Sequence, residues 1–345
     1  MKKYLLKIVI TLTICTMFSC DTINEKSKEI NIYSQRHYAV DELQYENFTK
    51  KTGIKVNVTK ANADELIQRM KIEGSSSPAD LFITVDVGKL WQAGDMDLLQ
   101  KIQDETITAG IDSEFLDPKN YWIPLTYRSR VVVYSKERVD VNDLSTYEDL
   151  ANEKWKNRLL IRSSSNSYNQ ALMSSLIANL GSDVAEDWST KIVSNLAREP
   201  KGNDRDQVKA IASGQGDIAV VNSYYIGLLL SSEKEEELKA GNSVGVFFPN
   251  QAENQRGAHI NVSGIALTKN APNRENAIKL ISFLTSQSAQ QTYVNNTYEY
   301  SVNSSVEPNE IVKSWGDFKK DKLDLNMLGV KRNEAIRIFD KTGWK

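Results

Sequence analysis

The sequence predicts an α/β protein built from two successive α/β units. Strand-like and helix-like patterns alternate through residues 29–85, and a comparable alternation restarts after residue 127. A chain of 345 residues is also too long for one simple core and suits two domains. We therefore expect two lobes with a cleft between them, in which a ligand lies at the carboxyl ends of strands and beside helix N-termini.

The first unit has three predicted strands separated by two predicted helices. The strands are predicted over residues 29–33, 54–58 and 80–85. The helices are predicted over residues 40–52 and 62–73, and each is followed by a glycine that ends it. The third strand is a nearly continuous apolar run, which is typical of a strand buried on both faces of a parallel sheet. This alternation indicates helices on both faces of the sheet.

The second unit repeats the pattern with longer intervals between elements. The predicted strands cover residues 127–136, 158–162, 217–222 and 263–269. The predicted helices cover residues 169–179, 205–212 and 273–285. No short internal repeat and no low-complexity tract interrupts the order of elements.

Composition excludes several classes of function. With 43 basic and 45 acidic residues the formal net charge is -2, so the chain lacks the positive field of a nucleic-acid-binding protein, and we expect no nucleic-acid partner. Two cysteines and two histidines cannot supply a cysteine-rich metal site, a disulfide framework or a histidine-rich zinc centre. No hydrolase, zinc-protease or phosphate-loop motif accompanies His37 as a base, so we do not expect an enzyme.

The N-terminus carries an export signal. Residues 1–19 combine a lysine-rich start with a short apolar run, the pattern of a signal peptide. Cys20 follows a small residue, as at a bacterial lipoprotein cleavage site, although Met17 stands where leucine is usual. We predict a lipoprotein-type signal peptide, a lipid anchor on Cys20 and a polar tether over residues 20–28. Ordinary signal cleavage, with Cys20 playing no part, is the alternative.

Three strand-to-helix junctions carry aromatic side chains that could bind a ligand. They are His37-Tyr38, Tyr168 and Tyr224-Tyr225. Adjacent residues normally point apart on strands and helices, so two neighbours converge only at an irregular junction. Together these junctions offer four phenol oxygens and one imidazole nitrogen at the ligand-facing edge of the sheets.

This donor set suits a strongly Lewis-acidic cation. A phenol has a pKa near 10, and only such an ion would ionise several phenols at neutral pH. Ferric iron fits, whereas zinc and copper favour cysteine or more histidine, and calcium favours carboxylates and carbonyls. The alternative is that the tyrosines only pack against their neighbours. We interpret the second histidine, His259, as a residue leading into a strand rather than as a sixth ligand.

Several segments together resemble the periplasmic ferric-iron-binding proteins of ABC importers. The resemblance covers roughly residues 29–345. It is carried by Ile32–Tyr38, Ser77–Leu81, Thr84–Asp86, Ile161–Asn166, Gly202–Gln207, Gly216–Tyr225, Val246–Gln251 and Thr342–Lys345. The combination is specific, although no single segment would be.

The resemblance implies a two-lobed periplasmic-binding-protein fold of type II, with the ligand cleft between the lobes. Lobe 1 would comprise residues 29–126 plus about 251–300, and lobe 2 residues 127–250 plus about 301–345. In the branch of the family that has a His-Tyr pair, that pair and three further tyrosines bind ferric iron, Fe(III). Those ligands fall on His37, Tyr38, Tyr168, Tyr224 and Tyr225.

Some members of the family also bind a synergistic anion, such as carbonate, near an arginine of the cleft. Arg128 and Arg130 are two residues apart on one predicted strand, so both face the same side and either could hold an anion. Arg36, beside the His-Tyr pair, is a third candidate. The alternative is that these arginines make only structural ion pairs and that five protein ligands make an anion unnecessary.

The implied function is capture of ferric iron outside the cytoplasm and delivery to an ABC permease in the membrane. We expect a monomer, located in the periplasm or on an extracytoplasmic membrane surface through the lipid at Cys20. A receptor of the same fold for another solute, such as an oxyanion or a polyamine, is the alternative. It would require arginines or carboxylates to dominate the cleft.

Overall fold

A computed structural model of the chain describes residues 28–345. The predicted signal peptide and Cys20 lie outside these residues, as does the tether apart from its last residue. The lipoprotein assignment therefore stays a prediction. Within residues 28–345, no helix is both long enough and apolar enough to cross a bilayer.

Strands and helices alternate through most of the described chain. The strands are β1 (Glu29–Ser34), β2 (Lys55–Lys60), β3 (Leu81–Thr84), β4 (Leu99–Gln100), β5 (Trp122–Ser135), β6 (Leu159–Leu160), β7 (Ile218–Asn222), β8 (Val244–Phe247), β9 (Ile260–Thr268) and β10 (Tyr300–Ser301). The helices of the first part are α1 (Ala39–Thr52), α2 (Ala63–Glu73), α3 (Val87–Asp95) and α4 (Glu105–Thr108). They are followed by α5 (Ser167–Leu180), α6 (Ser182–Asn195), α7 (Asp204–Ala212), α8 (Tyr224–Leu230) and α9 (Glu235–Ser243). The last are α10 (Arg274–Thr285), α11 (Gln287–Thr297), α12 (Glu310–Lys313), α13 (Met327–Val330) and α14 (Arg332–Thr342).

The strands form a mixed sheet in the order β2-β1-β3-β9-β5-β7-β6, with β4 on β9 and with β8 and β10 on β5. The pairs β1–β2 and β1–β3 are parallel, whereas β3–β9 and β5–β9 are antiparallel. We expected the third predicted strand, β3, to lie within a parallel sheet. This is wrong for one of its two edges, because β9 pairs with it in the antiparallel direction. All four residues of β3 are buried, as predicted, but β9 covers its second edge from a distant part of the sequence.

Strand β5 belongs to both α/β units. Its first part pairs with β9, from Trp122 opposite Ala266 to Ser129 opposite Ile260. Its last part pairs with β7, beginning with Arg130 opposite Asn222. The change of partner falls between Ser129 and Arg130, so a single strand of 14 residues carries the chain from one unit into the other.

Three hydrophobic clusters fill the core. The first gathers side chains of β1, β3, β9 and the first part of β5, together with the late residues Val302, Val312 and Leu328. The other two lie on opposite faces of the second part of β5, because Val132 points into one and Val131 into the other. The lobe boundaries given above stay predictions.

Asparagine side chains begin several of the helices that matter for the site. Asn166 Oδ1 accepts from Tyr168 N at 3.0 Å at the start of α5, and Asn203 Oδ1 accepts from Arg205 N at 2.9 Å at the start of α7. Such caps satisfy backbone N–H groups that lack a partner within the helix. They also fix where the chain turns from strand to helix.

Candidate metal centre

The turn from β1 into α1 presents the predicted His-Tyr pair. Tyr38 is the last residue before α1, and its backbone N donates to Asp41 Oδ2 at 3.3 Å. The His37 ring stacks on the Tyr38 ring with centroids 5.6 Å apart, and His37 Nδ1 lies 3.3 Å from the carbonyl oxygen of Gln35. His37 is exposed and Tyr38 is half-buried, so the imidazole stays accessible at the edge of the site.

The other three tyrosines lie in the first turns of two helices. We predicted them in the junctions before the helices, but α5 begins one residue before Tyr168, and α8 begins at Tyr224. The phenol oxygens of Tyr168 and Tyr224 are 3.3 Å apart. The rings of Tyr224 and Tyr225 have centroids 4.3 Å apart. The structure therefore brings together tyrosines that are 56 residues apart in the chain.

Electrostatics connect Tyr38 to this cluster. The pKa of the Tyr38 phenol is raised well above its usual range, first by burial, then by Glu299 and by Tyr168. Burial likewise raises the pKa of Tyr224, and Tyr168 and Tyr38 add to the effect. The pKa of Tyr225 is raised as well, by burial and then by Tyr168. These phenols are therefore neutral until a cation compensates their charge.

Arg36 lies beneath Tyr38 and does not line an open cleft. Its side chain is buried, with the guanidinium 5.1 Å from the Tyr38 ring centroid. It pairs with Asp41 at 3.1 Å and with Glu299 at 3.6 Å. Burial alone would lower the pKa of Arg36, but these two carboxylates outweigh it and raise the pKa. Arg36 thus stabilises the turn that carries His37 and Tyr38, and it does so from the protein interior.

Arg128 and Arg130 are buried behind Tyr168. Their guanidinium carbons lie 5.5 and 5.9 Å from the centroid of its ring. Arg130 donates to Asp204 Oδ1 and, at 2.7 Å, to Asn169 Oδ1. Arg128 donates to the carbonyl of Val85. The two arginines face the same side of β5, as predicted.

His259 shares this buried layer. With Arg128, Arg130 and Tyr168 it lines a space too small for a water molecule. Burial, followed by the positive charges of Arg130, Arg128 and Arg256, lowers the pKa of His259 to about 3. The residue directly precedes β9, and its backbone oxygen accepts from Arg130 N at 3.0 Å. This placement agrees with our interpretation of His259 as a residue leading into a strand.

A cavity of about 420 Å³ adjoins the exposed side of the tyrosines. Its wall combines Gln35 from the first unit with Tyr168 and Tyr225 from the second. Two arginines that we had not singled out, Arg162 and Arg205, also line it. Arg162 donates to Asp204 Oδ2 at 2.6 Å, and the Arg205 guanidinium lies 5.9 Å from the Tyr225 ring centroid. Both occur in segments that carry the family resemblance, which was the signal available in the sequence.

The site differs from the usual metal centres of proteins. Among residues 28–345, no group of three or more His, Cys, Asp or Glu side chains is placed to hold a metal ion. The donors gathered here are phenol oxygens, with an imidazole beside them. Hard oxygen donors of this kind suit a highly charged cation better than zinc or copper.

The chain matches a family model described as "Bacterial extracellular solute-binding protein" over residues 44–320. It belongs to this family of bacterial extracellular solute-binding proteins. Iron uptake protein A1 of Synechocystis is 46% identical over 94% of this chain and 89% of its own length. The major ferric iron-binding protein of Neisseria meningitidis is 26% identical over 92% of this chain and 93% of its own length.

Solved structures of solute-binding proteins agree with the architecture. A Trichodesmium protein determined in complex with iron and citrate ligands has a TM-score of 0.87 at 46% identity, covering 92% of this chain and all of that chain. The ferric binding protein of Campylobacter jejuni has a TM-score of 0.87 at 39% identity, with the same coverage. The prediction of a two-lobed, type II periplasmic-binding-protein fold is confirmed.

Acidification should destabilise the metal-free solute-binding protein through His259. Its pKa is about 3 in the folded state against an ordinary 6.5, so between these values the unfolded chain binds a proton that the folded protein does not. Stability present above pH 6.5 is therefore lost as the pH falls toward 3, by up to about 1.4 kcal/mol per pH unit. Between pH 7 and pH 4.5, the free energy of unfolding measured with urea should fall more for the wild type than for His259→Asn. Equal decreases in the two proteins would contradict the lowered pKa of His259.

Proposed function

We propose that this protein captures ferric iron in the cleft between its lobes and delivers it to an ABC permease. The observation that carries the proposal is the convergence of phenols from separate strand-to-helix junctions, with Tyr168 and Tyr224 oxygens 3.3 Å apart. The relatives named above are iron uptake and ferric-iron-binding proteins, which supports the same conclusion.

The proposed iron ligands are His37, Tyr38, Tyr168, Tyr224 and Tyr225. Four phenolates around a ferric ion leave one net negative charge. Three guanidinium groups offset that charge, those of Arg128, Arg130 and Arg162. Each lies within 6 Å of the Tyr168 ring centroid. His37 supplies the nitrogen donor from the exposed edge, where it can move toward the ion as the lobes close.

Removing two phenols should abolish the optical signature of the site. Ferric iron bound by phenolate has a broad visible charge-transfer band, which we expect when the mature protein is titrated with ferric citrate. The variant Tyr224→Phe, Tyr225→Phe should lose most of the band. Tyr134→Phe, on β5 away from the cluster, is the control and should keep it. A folded wild type without a band would refute the iron site and favour an oxyanion receptor of the same fold.

Iron binding should release protons. Because the pKa values of Tyr38, Tyr224 and Tyr225 are raised above their usual value, these phenols are protonated at neutral pH in the metal-free protein. Binding as phenolates expels those protons, so the apparent iron affinity should fall as the pH is lowered. Proton release in weak buffer on adding ferric nitrilotriacetate measures this. The double phenylalanine variant should release about two protons fewer, and an unchanged count would argue against phenolate ligation.

We further propose that a synergistic anion, such as carbonate or citrate, occupies the cavity beside Tyr225. Arg162 and Arg205 are better placed for it than the buried Arg36, Arg128 and Arg130. Arg205 is half-buried and has no ion-pair partner among residues 28–345, so its charge remains available.

The variant Arg205→Gln should reduce the extra iron retention that bicarbonate or citrate provides, by about fivefold. Iron binding in anion-free buffer should change little, because the five protein ligands remain. Competition with a ferric chelator, with and without the anion, separates the two contributions. Arg337→Gln on the exposed side of α14 serves as the control. An identical anion effect in both variants would place the anion elsewhere.

We propose that the mature protein is monomeric and attached to an extracytoplasmic membrane surface by a lipid at Cys20. The extracellular character of the family supports export. In cells, Cys20→Ser should move the protein from the membrane fraction to the soluble fraction. Retention of the variant in the membrane fraction would rule out the lipid as its anchor.

A further inference from the structure

A second cavity opens on the side of the first unit, away from the tyrosines. Its volume is about 490 Å³, and it shares no lining residue with the cavity beside Tyr225. Its walls come from α3, from the chain leading into β5 and from Asn326, just before α13. A volume of this size is within the range of small-molecule pockets.

Three aromatic rings form the walls of this second cavity. Trp91 and Tyr121 are half-buried, and Trp122 is 2% exposed. Gly329 of α13 backs the Trp91 ring so closely that a Cβ there would come within 2.5 Å of it. The Trp91 ring is therefore packed against the backbone of α13 and cannot move further toward that helix. Rigid aromatic faces favour a ligand with a planar, apolar body.

The floor of the second cavity is fixed by a buried carboxylate. Asp117 accepts from the backbone N of Tyr121 at 2.7 Å and from the backbone N of Lys119 at 3.2 Å. Asn326 Nδ2 donates to Asp117 Oδ1 at 3.0 Å. These three N–H groups offset the charge of Asp117, so it opposes a bound anion less than a free carboxylate would.

Unpaired positive charge lies at the rim. Lys101 and Lys119 are exposed, and neither has an ion-pair partner within the part of the chain that the structure describes. Asp95 is the single rim carboxylate that opposes them. Because three N–H groups offset the charge of Asp117, two lysines face the one remaining carboxylate, that of Asp95, and this excess of positive charge favours a negatively charged ligand.

We propose that the second cavity binds a small planar organic anion, of the aromatic carboxylate class. Its ring packs on Trp91 and Tyr121, and its carboxylate is attracted by Lys101 and Lys119. The site is independent of the iron centre and does not rest on the proposed function.

The test uses the mature, metal-free protein and benzoate as the probe. Tryptophan fluorescence and saturation-transfer NMR should detect saturable binding, with benzamide, the neutral analogue, binding more weakly. The double variant Lys101→Gln, Lys119→Gln should weaken benzoate binding by about fivefold, and added salt should have a similar effect. Lys55→Gln, Lys71→Gln, on the exposed surface elsewhere, is the matched control and should bind as the wild type does.

A second variant tests the aromatic wall. Trp91→Leu removes the planar face while keeping the rim charges, so it should lower the affinity for benzoate and the NMR transfer to the ring protons. The Tyr224→Phe, Tyr225→Phe variant should bind benzoate normally, which separates this site from the iron centre. Absence of saturable benzoate binding to folded protein, equal affinity for benzamide, or no change in either cavity variant would overturn the proposal.

Discussion

The continuity of β5 is the constraint on which the rest of the structure depends. Its paired strand changes from β9 to β7 between Ser129 and Arg130 without a loop, so one continuous strand runs through both units. Arg128 and Arg130 flank that point, and their side chains reach Val85 in one unit and Asp204 in the other. The ring of Tyr168 lies directly over them. The ring of Tyr168 is therefore positioned against the strand that runs through both α/β units.

Burial makes the phenols of the tyrosine cluster hard to ionise, and in the proposed iron site the same burial would select for a highly charged ion. Burial, with smaller contributions from neighbouring phenols, raises the pKa values of Tyr38, Tyr224 and Tyr225, which keeps the metal-free site neutral. A weakly charged ion could not compensate the cost of ionising them in a site of low polarity. In the proposed iron site a trivalent ion would compensate that cost, and the guanidinium groups around Tyr168 would offset the charge that remains. Selectivity would then follow from the charge balance of the site rather than from its size.

Much of this arrangement could be predicted from local sequence, because local signals decide local structure. Alternating apolar residues identified β1 and β2, and glycines at the ends of α1 and α2 stopped the helices where expected. The insertion of β9 beside β3 could not be predicted, since an apolar run does not specify the direction of a partner over 180 residues away. Likewise, Arg162 and Arg205 were not singled out, although both lie in segments that carry the family resemblance, because only the packing of the folded chain places them beside Tyr168 and Tyr225.

The helix starts described above have an electrostatic consequence. Helices α1, α5 and α8 all begin at the tyrosine cluster, and α7 begins at the adjoining cavity. Each helix N-terminus carries roughly half a positive charge from its aligned peptide dipoles, and the effect falls off within the first turn, so the longer helices α1 and α5 place partial positive charge beside the tyrosines at their starts. This field arises from the main chain, and no single side-chain substitution removes it. The partial positive charge beside the phenols is thus a property of the backbone path, and it stabilises negatively charged oxygen placed there.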